Sequence, residues 1–219
     1  MIPLLYGDSD LIAVCKPAGI SSIPERDLAV PSVRTFLEKQ LGTRLYTVHR
    51  LDKEVSGVML FARTADALRY LNAAFFDRNV KKTYIALVHG VIMPDGGTID
   101  APIRQFGSGR MGVDAKNGKP SVTRYKVLER RDPFTLVEAY PFSGRRHQIR
   151  VHFYHIGHPI AGDTRYGKNL EQERFKRIML HALKIEWKKK DGMEMAVEAE
   201  VPEEFREKVH SSGPWRAAQ

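Results

Sequence analysis

Cysteine is almost missing from this chain: Cys15 is the single one among 219 residues. An internal disulfide framework is therefore excluded, and a reducing compartment is the natural fit. Cys15 closes an apolar run over residues 11–15, so a buried strand thiol is expected rather than a reactive one. Long apolar runs are missing too. No stretch approaches the ~20 residues of a membrane-spanning helix, and residues 1–6 have neither the basic start nor the apolar core of a secretory signal. The expectation is a cytoplasmic protein with no membrane partner. Acidic residues are in deficit, 26 Asp plus Glu against 35 Lys plus Arg, which leaves a net charge of +9. Such an excess favours a polyanion, nucleic acid ahead of membrane. Internal repeats and low-complexity linkers are also lacking. The 42% hydrophobic and 28% charged shares are those of an ordinary globular protein.

What is present divides into short elements. Asp8, Ser9 and Asp10 lead into a strand over 11–15, closed by Lys16-Pro17-Ala18-Gly19, and Pro24 and Pro31 mark the next segment as loop. Ser32 can cap a helix whose apolar positions Val33, Phe36, Leu37 and Leu41 keep helical spacing up to Gly42. Thr64 caps a stronger helix with Ala65, Leu68, Leu71, Ala74 and Phe75 on one face. Between the two, residues 58–62 form a continuous apolar run, the pattern of a buried strand. Further strands are predicted over 80–90, 98–103, 121–128, 135–139, 180–187 and 193–201, the last two forming a hairpin about Lys190-Asp191-Gly192. One helix is expected over 144–157, a short charged helix near 170–176 and a last amphipathic turn or two over 202–209, with a frayed tail beyond 211. Strands outnumber helices and hairpins dominate. The class is therefore α+β, with a largely antiparallel sheet flanked by helices and loops.

The chemistry concentrates in residues 48–63. Asp52 stands among His49, Arg50 and Lys53, and cations around a carboxylate favour its charged form, as a nucleophile or electrostatic partner requires. The same charge pattern also describes a surface salt bridge. Arg50 lies two positions from Asp52, so both side chains can point to one side of a loop or extended segment. Tyr84 follows two lysines on a predicted strand and is, by itself, as ordinary as any core tyrosine. On the predicted helix, His147, Arg150, Val151 and Tyr154 share a face.

Two patterns invite other readings. Histidines 147, 152, 155 and 158 lack accompanying cysteines and a standard ligand spacing, so no metal is expected. Gly107-Ser108-Gly109-Arg110-Met111-Gly112 matches a dinucleotide fingerprint in letters only. No helix can start at Val113 ahead of Lys116-Asn117-Gly118-Lys119-Pro120, so the segment reads as a flexible basic loop. Residues 104–131 hold eight basic side chains against two acidic ones, or six of the chain's +9. That concentration favours an RNA-facing surface over a merely solvated hairpin.

Val48-His49-Arg50-Leu51-Asp52, followed by Ser56-Gly57 and an apolar strand, closely resembles the signature of the RluA-type pseudouridine synthases. Other matches come in the same order as in that family: Lys16-Pro17-Ala18-Gly19, Lys81-Lys82-Thr83-Tyr84-Ile85-Ala86, Gly144-Arg145-Arg146-His147-Gln148-Ile149-Arg150, Gly157-His158-Pro159, Gly162-Asp163 and Leu180-His181-Ala182. The resemblance covers nearly the whole chain. It departs at Val55, where the family usually has Thr, and at Arg146, where it usually has Thr or Ser; both bear on substrate fit more than on chemistry.

The resemblance implies the pseudouridine synthase fold as a single catalytic domain over 1–219, without the family's separate N-terminal RNA-binding domain. It implies isomerisation of uridine to pseudouridine in ribosomal or transfer RNA stem-loops. The N1 glycosidic bond breaks, the uracil turns and the bond re-forms through C5, with no cofactor and no metal. Asp52 would be the catalytic carboxylate, either attacking or assisting an unsaturated sugar intermediate. Arg150 would pair with Asp52. Tyr84 would stack on the target base and is a candidate for proton removal. Arg50 would fill the stack the extruded base vacates. His49, Arg145, Arg146 and His147 around the site, with Arg110, Lys116 and Lys119, are the expected RNA contacts of a monomer.

Two other function classes fit less of the sequence. A glycoside or nucleoside hydrolase usually needs two cooperating carboxylates or a metal, and here Glu54 is expected to turn away from Asp52 while Asp163 orders a loop. A non-catalytic RNA-binding module needs only the basic surface, but gives no reason for Asp52, Tyr84 and Arg150 to match together.

Overall fold

The computed structural model describes residues 1–167 and 172–209, apart from 26 and 28. The chain opens with β1 (Leu4–Gly7), β2 (Leu11–Lys16), α1 (Val33–Leu41), β3 (Tyr46–Thr47), β4 (Ser56–Ala62) and α2 (Ala65–Phe76). Then come β5 (Lys81–His89), β6 (Gly96–Asp100), β7 (Ile103–Gln105), β8 (Met111–Val113), β9 (Val122–Arg131) and β10 (Phe134–Pro141). α3 (Gln148–His155), β11 (Leu180–Lys188), β12 (Glu194–Glu198) and α4 (Glu203–Val209) complete it. The predicted caps are in place. Ser32 accepts from Thr35 N and α1 ends on Gly42 at φ 64°, while Thr64 accepts from Ala67 N at the start of α2.

The main sheet runs β1-β2-β4-β11-β5-β10-β9-β6, with β12 on β11 and β3 on β4. Its pairings are antiparallel except that of β4 with β11. The α+β class with a mostly antiparallel sheet is thus what forms. β4 lies in the middle and is buried along its whole length. Met59 and Phe61 pack with Val33 and Leu37 of α1 and Ile149 and Phe153 of α3. Val58 and Leu60 face Ala67, Leu71 and Ala74 of α2. Burial on both faces is why its sequence is a continuous apolar run rather than an alternation.

The parallel step between β4 and β11 sets Gly57 against Ala182, and Ala182 in turn against Tyr84 of β5. Gly57 has φ +117°, and a Cβ there would fall 2.2 Å from the Ala182 carbonyl oxygen. Only glycine allows this approach. The row Gly57–Ala182–Tyr84 therefore brings the end of the Asp52 loop beside the tyrosine strand.

Four expectations are corrected. The stretch 104–120 is not a flexible loop: β7 and β8 pair as a two-stranded hairpin, held to α3 through Ile103, Val151 and Tyr166. The strand expected over 98–103 breaks between β6 and β7 at Pro102, which has no backbone N–H for a ladder. The helix expected over 144–157 begins only at Gln148, because His147 sits at φ 55°. Gln148 holds that break in place, accepting from Ser143 Oγ at 2.6 Å and Arg145 N at 3.1 Å and donating to Val122 O at 3.0 Å. The helix expected near 170–176 does not continue past Gln172, since residues 173–176 form turns and bends, while residues 170 and 171 and the tail beyond 211 lie outside the described residues. Among the described residues no helix is long and apolar enough to cross a membrane.

Candidate active site

Asp52 lies on a turn just before β4, closed by Val55 N donating to Asp52 O at 3.1 Å. The turn is fastened at both ends. Ser22 Oγ accepts from Leu51 N at 3.1 Å and donates to Leu51 O at 2.7 Å. Lys16 is fully buried at the end of β2 and its Nζ donates to Lys53 O at 3.0 Å and Pro17 O at 2.9 Å. Burial pushes the Lys16 ammonium down to about 8, opposed by the charge of Glu54.

α3 points Arg150 at this turn. The guanidinium is 4% exposed. Its Nε and Nη2 donate to the two carboxylate oxygens of Asp163, at 2.7 and 2.9 Å. Its Nη1 is left facing Asp52 Oδ2 at 3.3 Å and Glu54 Oε2 at 3.3 Å. The fork of the guanidinium is thus divided between a buried anchor and the site. Asp163 is itself held, its Oδ1 accepting from Arg165 N and Tyr166 N at 3.1 and 3.3 Å.

Tyr84 projects from β5 into the same cleft. Burial, then the charge of Asp52, raise its phenol above the usual tyrosine range, so at neutral pH the hydroxyl keeps its proton. A small cavity of ≈ 90 Å³ is walled by Arg50, Asp52, Tyr84, Arg145 and Arg150. At Asp52 it meets a wider groove of ≈ 890 Å³ lined by Ser22, Glu25, Arg50, Arg146 and Arg165 among others. Arg50, Arg145 and Arg146 are exposed around these openings. The small cavity itself offers one carboxylate, Asp52, with a neutral hydroxyl and guanidinium groups around it. Such a site can stabilise positive charge developing on a sugar while holding a polyanion at its edge.

Three expectations change here. His49 is not a cation beside Asp52. Its Nε2 accepts from Leu60 N at 3.0 Å, its ring stacks on Phe75 at 4.9 Å, and burial pushes it down to about 3. His147 is buried in the wall of the cavity and is not an exposed cation on its rim. Its Nδ1 is hydrogen-bonded to the Tyr166 hydroxyl at 2.8 Å, Nε2 lies 3.8 Å from Asp52 Oδ1, and burial followed by the charge of Arg150 pushes it down to about 3. Glu54 does not turn away, since it shares Arg150 with Asp52; side chains two apart fall on one side even in an extended segment.

Of the remaining expected residues, Arg110, Lys116 and Lys119 are exposed on or beside the β7–β8 hairpin, away from the cavity walls. Not every cation of residues 104–131 is free to meet a ligand: Arg130 donates to Ile92 O, Met93 O and Asp95 Oδ1. Among the described residues no group of three or more His, Cys, Asp or Glu side chains could hold a metal ion. Sequence reasoning passed over Ser22 and Tyr166, and took Asp163 for a loop-former only.

Known proteins resemble this chain over most of its length. A family model described as RNA pseudouridylate synthase matches residues 10–155. The ribosomal large subunit pseudouridine synthase C of Vibrio parahaemolyticus is 36% identical over 190 residues, covering 84% of this chain and 60% of that protein. The enzyme of the same name from Yersinia pestis is 36% identical over 214 residues, 93% of this chain and 67% of that protein. This chain thus spans about 60% of the length of the first of these curated relatives. Among solved structures, human RNA pseudouridylate synthase domain containing 1 superposes with a TM-score of 0.80 at 29% identity, over 96% of this chain and 87% of that one.

Proposed function

This chain belongs to the RNA pseudouridylate synthase family, and we propose that it isomerises specific uridines in folded RNA to pseudouridine. The observation that carries this reading is the pairing of Arg150 with Asp52 at 3.3 Å, across 98 positions of sequence, at the mouth of a cavity that also holds Tyr84. The base must leave its stack to reach a carboxylate so placed. Arg50, exposed on the rim of both openings, is suited to fill the space it leaves.

Asp52 supplies the anionic oxygen at the sugar. It acts either as a nucleophile on C1′ or by stabilising the cleaved sugar while uracil turns to present C5 in place of N1. Arg150 aims the carboxylate and Tyr84 stacks on the loosened base. Once C5 is bonded to C1′ its proton leaves to water and N1 takes one up, a transfer the Tyr84 hydroxyl can relay by accepting at oxygen as it gives up its own proton. One glycosidic bond replaces another with no change of oxidation state, so the reaction calls for no redox cofactor. The names of the curated relatives favour large-subunit ribosomal RNA over transfer RNA as the substrate. The single catalytic unit is read as a cytoplasmic monomer whose own hairpin supplies RNA contacts.

The test is to incubate purified protein with transcripts of large-subunit ribosomal RNA and of transfer RNAs, digest them, and separate the nucleosides. Pseudouridine at a defined position supports the proposal. No pseudouridine in either RNA class would overturn it.

A further inference from the structure

The β7–β8 hairpin and α3 enclose a groove of ≈ 690 Å³, lined by Phe106, Arg110, Met111, Val113, Tyr154 and His155 among others. Two large aromatics are left open there, Phe106 at 38% and Tyr154 at 48% exposure. Each ring carries a guanidinium. Arg104 lies 4.6 Å from the Phe106 ring centre, and Arg110 lies 5.5 Å from that of Tyr154 and 5.1 Å from that of Tyr166. Phe106 lies across the hairpin because residue 112 has no side chain: a Cβ on Gly112 would fall 2.8 Å from Phe106 Cε2. Gly112, the last glycine of the segment that imitates a dinucleotide motif, thus makes room for an aromatic ring on the surface.

The groove adjoins the site described above. Arg150, which faces Asp52, and Tyr154, which opens into the groove, are one turn apart on α3. Tyr166 bridges the two, its ring centre 5.4 Å from Arg150 Cζ and 6.1 Å from that of Tyr154. Exposed Lys116 and Lys119 follow β8 and continue the positive surface. Open aromatic faces, guanidinium planes and a basic surround are how single-stranded nucleic acid is held, with the rings taking bases and the cations taking the backbone. An apolar peptide would find no use for the guanidinium groups.

We propose that this groove is a stacking subsite for one unpaired nucleobase of the bound RNA, close to the uridine on which Asp52 acts. The inference rests on the function proposed above. Stacking accepts any base by its π-face, so the subsite recognises that a nucleotide is unpaired rather than which one it is.

The probe is a stem-loop RNA that the protein modifies, with loop nucleotides replaced one at a time by abasic sites. Wild-type protein should lose about five- to tenfold in affinity at one loop position other than the target. Phe106→Leu with Tyr154→Leu should cost a similar factor on the intact RNA while leaving the slope of log affinity against log salt in place. On the abasic RNA the double substitution should cost little more. The inference is overturned by affinity that stays within twofold, by a loss that appears wholly as a reduced salt slope, or by penalties that multiply at every loop position. Both side chains are exposed, so folding is not at stake, and the abasic scan of the wild-type protein stands without any variant. A wild-type protein that forms no pseudouridine overturns the function itself, and this is read before any variant is made.

Discussion

Asp163 takes two donors of Arg150, at 2.7 and 2.9 Å, and so fixes the third, Nη1, toward Asp52. The anchor carboxylate is fully buried, while the Asp52 side chain keeps 16% exposure. One carboxylate sets the geometry and the other remains available for chemistry.

Asp163→Ala should therefore damage both fold and site. Removing one partner of a buried pair typically costs about 3–5 kcal/mol, and Arg150 would be left to turn wholly onto Asp52 and Glu54. Urea unfolding should show a loss of that order, with activity falling by more than the folded fraction does. A variant as stable and as active as the parent would show that Asp163 merely orders its loop.

Stability should fall on mild acidification. His49 and His147 are pushed down to about 3 and His181 to about 4, in each case mainly by burial. They remain neutral in the folded chain, whereas the unfolded chain takes up protons below about pH 6.5. Stability is thus full above that pH and is lost as pH falls through the window toward 3–4. Between pH 7.5 and 5.5 each histidine should cost about 1.4 kcal/mol, roughly 4 kcal/mol for the three. Urea midpoints at the two pH values check this, and His49→Gln should remove about a third of the difference. Equal midpoints would contradict the burial argument.

The parts of the fold written in local signals could be read directly. Ser32 and Thr64 announce their helices because an N-cap hydroxyl serves backbone groups only a few residues away. The run at residues 58–62 announces a strand covered on both sides. Partnership across the chain is not local. Nothing around Asp163 tells that its oxygens meet Arg150, and nothing around His49 tells that its ring lies on Phe75. Asp52, Tyr84 and Arg150 were legible as a set only through resemblance. The hairpin at 103–113 was hidden because its glycines read as slack, although at Gly112 the missing side chain makes room for Phe106.

Tyr84→Phe should keep the ring on the base and lose only the hydroxyl. Substrate affinity should stay within a few-fold while single-turnover rates fall by roughly ten- to a hundredfold, within the span of positioned proton transfer. Single-turnover kinetics at saturating protein separate the two. An unchanged rate would reduce Tyr84 to a stacking platform.

Neutralising Lys116 and Lys119 should weaken RNA binding and flatten its salt dependence. About one unit of slope is expected to vanish for each phosphate contact removed. Titrations at several salt concentrations give the slope. If both could be replaced without altering it, the end of the hairpin would not meet the phosphate backbone.

The most direct test is Asp52→Asn, which keeps the shape and removes the charge. Its RNA affinity should stay within a few-fold of the parent, because a carboxylate contributes little to phosphate binding. No pseudouridine should appear even when protein exceeds RNA and only one turnover is required. Pseudouridine formed by this variant at the parental position would contradict the assignment of Asp52 as the catalytic carboxylate.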